Sequence, residues 1–353
     1  MAEKSRKPIK KIKIGIIGAG GGGTNAIANN AYKFAPFDVS FLAINTDIQA
    51  LEKQRKGNKK DQLKFFERKL IGRRLTRGLG AGSNPDIGWK AAAEDREWLE
   101  KWLADKKLLF IATGMGGGSG TGAGPYIARL AKNLGILTIG VSTLPFLFEG
   151  KERMDNALTG LKTMEKYADL SIVINNNDLF KKHSSDTVEH TFVKADKYLG
   201  DGIITILNLL LEDALINLDL ADIRKVVKDS GGGFINIAFA KGIDGNGLDK
   251  NKEKFEEAID KLFDLTFIPS DVKTATKALL SISGSPNILK MEYVRFIVNK
   301  ILEKVSHDLD IIFGVTNNQA LEDNVKISLI LTGMDKIVLT DDIKDIEEKY
   351  FSK

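Results

Sequence analysis

The stretch GMGGGSGTGAG at residues 114–124 decides how the rest of the chain reads. It holds seven Gly in 11 positions, directly after the apolar run LLFIAT at 108–113. A tight turn needs one or two Gly, not seven. Such a run lets a backbone lie against phosphate oxygens, whose charge is stabilised by free N–H groups and by the positive end of the following helix. Ser119 and Thr121 add hydroxyl donors, and the helix is expected to begin near Pro125. The Lys of a Walker A sequence is absent, which excludes a P-loop enzyme.

Working outward, a second cluster, GAGGGGTN at 18–25, follows the apolar run at 12–18. It contains G-x-G-x-x-G, and Asp47 after the next apolar run sits where a dinucleotide enzyme binds ribose. A nicotinamide-dependent oxidoreductase is therefore one open reading. Two phosphate-cradling loops on one sheet edge suit a di- or triphosphate better than a single pyrophosphate bridge.

Apolar runs at 12–18, 39–44, 108–113, 137–142 and 171–174 each end in a polar or Gly-rich loop, with helical stretches between them. That pattern predicts an α/β fold with a doubly wound parallel sheet, whose carboxyl-end loops line one ligand-binding edge. Ile203, Ile206, Leu207 and Leu210 recur at helical spacing and predict a long central helix from about 191 to 211. The second half predicts strands at 234–240, 278–283, 310–316 and 325–331 and helices at 250–265 and 289–306. That is a smaller α+β domain with one helix-covered sheet. The expected organisation is a basic leader at 1–10, a nucleotide-binding domain at 11–190, a central helix segment at 191–216, a C-terminal domain at 217–334 and a charged tail at 335–353.

With 353 residues the chain has room for two cores at roughly 150 residues each. Apolar residues at 43% and charged residues at 28% exclude a disordered chain and a membrane bundle. There is no Cys, which excludes thiol catalysis, thiolate metal sites and disulfides and permits a cytoplasmic location. Lys and Arg number 52 against 47 Asp and Glu, a net charge of +5, with basic runs at 4–13 and 52–77. Neither run shows the interleaved aromatics of RNA binders, so both read as solvated and no nucleic-acid partner is expected. No run of 18 apolar residues occurs, so no direct membrane insertion is expected. The leader lacks the apolar core and cleavage site of a signal peptide.

AINTD at 43–47, LTRGLGAGSNP at 75–85, GMGGGSGTGAGP at 114–125, PFLFEG at 145–150 and INLDLAD at 216–222 together resemble the FtsZ family, the prokaryotic tubulin-like cell-division GTPases. They occur in that family's order from about residue 11 to 334. The resemblance implies a tubulin/FtsZ fold and assigns Gly21, Gly22 and Asn25 to the first nucleotide loop and Asn45 with Asp47 to the second. Ala81, Gly82 and Ser83 would sense the terminal phosphate. Gly116, Gly117, Gly118, Ser119, Gly120 and Thr121 would form the signature phosphate loop, with Pro145, Glu149 and Arg153 near ribose and phosphates. Asn176, Phe192 and Asp196 would surround the base. The chemistry of Asp196 agrees: a carboxylate accepts from guanine N1–H and its N2 amino group, whereas adenine N1, an acceptor, would leave the charge unpaired.

None of these loops offers an obvious water-activating group, and His183, His190 and His307 read as surface residues. The resemblance supplies Asn217, Asp219 and Asp222, on the loop after the central helix, which in the family completes the site of the neighbouring subunit. Read alone, D-x-x-D at a helix start is an N-cap with a favourable dipole partner. Further implications are GTP and GDP as ligands, Mg2+ held through the nucleotide phosphates, K+ as a further candidate ion, and no metal ligands of the protein's own. The partners implied are a head-to-tail homopolymer, membrane-tether proteins and regulators, in the cytoplasm at the division site. An FtsZ-like paralogue that binds nucleotide and acts as a scaffold with little turnover is the alternative.

Several positions depart from the family pattern. Asn175-Asn176-Asn177-Asp178 replaces Pro-Asn-Asp-Arg, Leu144 stands where a basic residue precedes Pro-Phe, and the net charge is positive where the family is acidic. The segment between Leu51 and Leu75 is longer and strongly basic, and is expected to reshape the flank of the terminal phosphate or a lateral contact. No Pro-rich linker and terminal peptide follow 335–353, so either anchoring is expected to use another surface or the sequence is a trimmed piece of a longer chain.

Overall fold

The computed structural model of the chain describes residues 12–35, 37–57, 66–176, 187–211, 214–216, 220–263 and 272–334. Apolar runs unbroken by polar residues become strands buried on both faces. β1 (Ile14–Ala19), β2 (Val39–Asn45), β4 (Leu108–Gly114), β5 (Leu137–Leu144) and β6 (Leu170–Asn175) are those runs, all mutually parallel where they pair. A further strand, β3 (Phe66–Leu70), pairs in parallel with β2 at the sheet edge.

Helices cover both faces. Ile17, Leu109 and Ile111 pack toward α4 (Pro85–Glu94), α5 (Arg96–Leu103), α6 (Gly118–Asn133) and α7 (Lys151–Tyr167). On the other face, Ile14, Ile16, Leu108 and Phe110 pack toward α1 (Gly20–Phe34), α8 (Val188–Leu211) and α9 (Leu220–Val227). The short helices α2 (Ile48–Gly57) and α3 (Arg73–Thr76) flank β3 in the chain.

Among the described residues one sheet of 11 strands forms, and its first six strands run in the order β3-β2-β1-β4-β5-β6. The strand order reverses between β1 and β4, and such a switch point opens a crevice outside the carboxyl ends of the two strands. Both glycine clusters leave from those ends. Here the close approach requires glycine: a Cβ on Gly20 would lie 2.5 Å from the Gly120 nitrogen, and one on Gly23 2.1 Å from the Ala112 carbonyl oxygen.

The second half comprises β7 (Ala214–Ile216), β8 (Gly231–Ala240), β9 (Lys277–Gly284), β10 (Asp310–Asn317) and β11 (Val325–Thr332). Helices α10 (Leu248–Phe263) and α11 (Met291–Lys304) bury Phe255, Ile259, Tyr293 and Ile297 against it.

Four features differ from the sequence expectation. The second half is not a separate sheet: β8 joins β6 in parallel through Leu170↔Gly231, Ser171↔Gly232 and Ile172↔Gly233. The helix after the long glycine cluster starts at Gly118 rather than near Pro125, held by close packing in which Gly88 admits the Gly118 carbonyl. The central helix runs from Val188 to Leu211, and 214–216 is strand β7, paired antiparallel with β10. β3 was not foreseen at all. The expected leader at 1–10, residues 58–65 of the basic segment and the tail at 335–353 lie outside the described residues. Among the described residues no helix is long and apolar enough to cross a membrane.

Candidate functional site

The crevice at the switch point is a cleft of about 380 Å³ lined by both glycine loops, the end of β5 and the start of α8. α1 and α6 begin beside it, and neither carries a side-chain cap or an acidic residue in its first turn. Two helix N-termini with neither a side-chain cap nor a first-turn carboxylate therefore favour an anion there. Gly21 and Gly117 both line the cleft, and a Cβ at either would meet nothing within 4 Å. Glycine at these two positions leaves open space for a ligand, whereas Gly20, Gly23 and Gly120 are forced by packing. The residues present thus fit a phosphate chain.

The loops brace one another. The Thr46 and Ser119 hydroxyls lie 2.6 Å apart, the Gly116 N–H donates to Thr121 Oγ1 at 2.8 Å, and Asn156 donates to the Ser83 carbonyl at 3.0 Å. Ala81 packs so closely on Gly118 that a Cβ there would lie 2.6 Å from the alanine methyl.

At the far end of the cleft stand Asn176, Phe192 and Asp196. Asn176 is buried, and its Oδ1 has no hydrogen-bond partner among the described residues, a cost that a ligand donor would remove. Phe192 is 41% exposed, with its ring edge-on to Phe146 at 5.0 Å. Phe146 in turn stacks on Phe148. Burial pushes the Asp196 carboxyl up to about 7, opposed by a hydrogen bond from the Asn29 amide at 2.9 Å. Arg153 pairs with Glu149 at 3.0 Å, and Glu149 also accepts the Phe146 N–H at 2.8 Å.

Of the residues expected from sequence, Gly21, Gly22, Asn25, Gly117, Gly118, Ser119, Gly120, Pro145, Glu149, Arg153, Asn176, Phe192 and Asp196 come together around this cleft. Gly116 and Thr121 shape the phosphate loop from behind. Ala81, Gly82 and Ser83 flank it without lining it. Asn45 is buried, and Asp47 caps α2 by accepting the Gln49 N–H at 2.8 Å, so neither lines the cleft.

Met115, Thr143, Leu144 and Ala195 also line the cleft and were not among the expected residues. The rule that ligands sit at strand carboxyl ends would have pointed to Thr143 and Leu144, which close β5. Asp222 lies in the first turn of α9, 3.6 Å from Lys225, and is not among the lining residues. Asn217 and Asp219 fall outside the described residues, as do Asn177, Asp178 and His183. His190 and His307 are exposed. Among the described residues no cluster of three or more His, Asp or Glu could hold a metal ion.

A parallel sheet of this order, two glycine loops at its switch point, a long central helix and an α+β second half define a tubulin-like GTPase fold. Residues 13–184 match the GTPase domain of the Tubulin/FtsZ family, and residues 241–335 match the C-terminal domain of the FtsZ family. Cell division protein FtsZ 1 of Methanocaldococcus jannaschii is 35% identical over 333 residues, covering 94% of this chain and 86% of that protein. The chain belongs to the FtsZ family. A solved structure described as an empty FtsZ dimer from M. jannaschii superposes with a TM-score of 0.79 at 34% identity, over 92% of this chain and 89% of that one. CetZ2 of Haloferax volcanii, in a GTPγS-bound protofilament, has a TM-score of 0.77 at 19% identity, over 97% and 99% of the two chains, and shares the fold.

Proposed function

We propose that this chain is a cell-division GTPase that assembles head to tail and hydrolyses GTP where the cleft of one copy meets the acidic loop of the next. The observation that carries the reading is the division of chemical labour around the cleft. Its described lining offers phosphate-binding backbone and a base edge, yet its ionisable members are Glu149 and Arg153, paired with each other, and Asp196, held by Asn29. None of the three is free to orient a water.

The two helix N-termini and the backbone of 116–121 would bind the phosphates, with Ser119 and Thr46 fixing the loop from the side of β2. Asn176 and Asp196 would read guanine, and Phe192 would cover its face. Mg2+, when bound with the nucleotide, would offset phosphate charge. Asp219 and Asp222, with Asn217, would reach the terminal phosphate from a second copy and orient the attacking water. A contact that joins different faces of two copies does not close on itself, so repetition yields a filament. The dimer described for the M. jannaschii relative supports self-association.

The test is phosphate release per subunit against protein concentration, with sedimentation in GTP and GDP. A specific rate that rises above a threshold concentration, together with GTP-dependent sedimentation, supports the proposal. A rate per subunit independent of concentration contradicts it.

A further inference from the structure

Asp196 is gripped by α1, the helix that opens at the first glycine loop. Asn29 Nδ2 donates to Asp196 Oδ2 at 2.9 Å, and Asn30 Nδ2 donates to the Asp196 carbonyl oxygen, also at 2.9 Å. Asn30 is 2% exposed and also donates to the Ala26 carbonyl at 2.7 Å. Gly200, one turn past Asp196 on α8, leaves Asn30 its place: a Cβ there would lie 2.3 Å from Asn30 Cγ. Lys33 and Asp201 pair further along the same seam. Asn25, one turn before Asn29, lines the cleft. A single helix therefore runs from the phosphate end to the base-reading carboxylate.

A carboxylate that accepts two N–H groups from the edge of a base must hold both oxygens in the plane of that edge. An aspartate free to rotate loses that alignment, and a half-buried one also favours its neutral form, which has no use for two donors. We propose that Asn29 is a positioning residue for base recognition: its amide fixes Asp196 so that Oδ1 and the remaining lone pair of Oδ2 face the donor edge of guanine. This rests on the cleft being a guanine-nucleotide site. Lys194 and Lys197 lie two residues before and one after Asp196 in the chain, Lys33 pairs with Asp201 on the α1–α8 seam and Arg153 pairs with Glu149 in the cleft lining, and none of these charges is among the causes that shift the Asp196 carboxyl. Burial raises the Asp196 carboxyl, and the Asn29 hydrogen bond is what opposes it.

The experiment measures GDP affinity of the full chain by calorimetry from pH 6 to 8.5. Asn29→Ala sits on an exposed helix position where Ala favours the helix, so the variant folds. Loss of one hydrogen bond to a charged group is expected to weaken GDP binding about tenfold at pH 7.5. It should also move the midpoint of the affinity's rise with pH upward. In an Asp196→Ala background the same substitution should change nothing, because Asn29 acts through Asp196. Unchanged affinity and midpoint in Asn29→Ala, or losses that simply multiply in the double variant, overturn the inference. If Asp196→Ala binds too weakly to measure, the midpoint in Asn29→Ala decides. If Asp196→Ala binds GDP as the parent does, the guanine-site reading itself fails instead.

Discussion

The hydroxyl of Thr46, after β2, lies 2.6 Å from the hydroxyl of Ser119, in the first turn of α6. Thr46 is fully buried, and its carbonyl accepts the Gly80 N–H at 3.1 Å and the Thr76 hydroxyl at 3.2 Å. One residue therefore ties the phosphate loop to the 76–83 loop. Thr46→Val keeps the shape and removes the hydroxyl. It should cost about 1 kcal/mol of stability. It should also weaken GTP binding more than GDP binding, as read by denaturation and calorimetry, if the 81–83 loop attends to the terminal phosphate.

Gly117 is the N-cap of α6, with open space where a Cβ would stand. Asp is a favourable N-cap, so Gly117→Asp should keep or raise thermal stability by up to about 1 kcal/mol. It should also abolish nucleotide binding, because its carboxylate occupies the anion's place. Gly23→Ala, whose Cβ would press on the Ala112 carbonyl, should instead destabilise the fold. The contrast, measured by thermal melting and GDP titration, separates glycines kept for ligand from glycines kept for packing.

Asp196 predicts a pH dependence with a definite sign. Its carboxyl is raised to about 7 in the free protein, and guanine donors require the ionised form. GDP affinity should therefore rise with pH through about 7 and level off above it, with proton release on binding near pH 7. Without nucleotide the stability contribution of the neutral carboxyl is fully present below the ordinary value near 4 and is lost as pH rises through 7. Asp196→Asn should accordingly melt higher than the parent at pH 8 without nucleotide while binding GDP at least about tenfold more weakly. Melts and titrations at pH 6 and 8 check both halves.

These predictions rest on features unequally visible in the sequence. β1, β2, β4, β5 and β6 were legible because strands buried on both faces are apolar throughout. β3 reads FERKL and hides: Glu67 bonds the Trp102 indole and Lys69 pairs with Asp95, contacts made only after α5 folds back on it. β7 has three residues and exists through its pairing with β10. The start of α6 was obscured because Gly has poor helix propensity, which tertiary packing overrides. In the site, the glycine loops announced themselves because seven Gly in 11 positions exceed what a tight turn needs. Asp47 was ambiguous in sequence, since an Asp before a helix is first of all a cap, and it does accept the Gln49 N–H here. Asn29 was invisible because its role depends on α1 meeting α8, which no local pattern states.

Asp222 pairs with Lys225 at 3.6 Å within α9 and takes no part in lining the cleft of its own chain. Asp222→Ala should leave GDP affinity unchanged and lower steady-state phosphate release by about a hundredfold or more, in line with loss of a group that orients the nucleophile. Filaments should persist in sedimentation. A parallel loss of nucleotide affinity would place Asp222 in its own subunit's site instead.

The most direct test mixes two inactive variants. Asp219→Ala keeps an intact cleft, and Gly117→Asp keeps an intact acidic loop. Each alone should release no phosphate above background. Mixed in equal amounts, about a quarter of head-to-tail contacts join an intact cleft to an intact loop, so turnover should return to a corresponding fraction of the parent rate. A mixture that co-sediments with GTP yet stays as inactive as its parts would contradict a site shared between two copies.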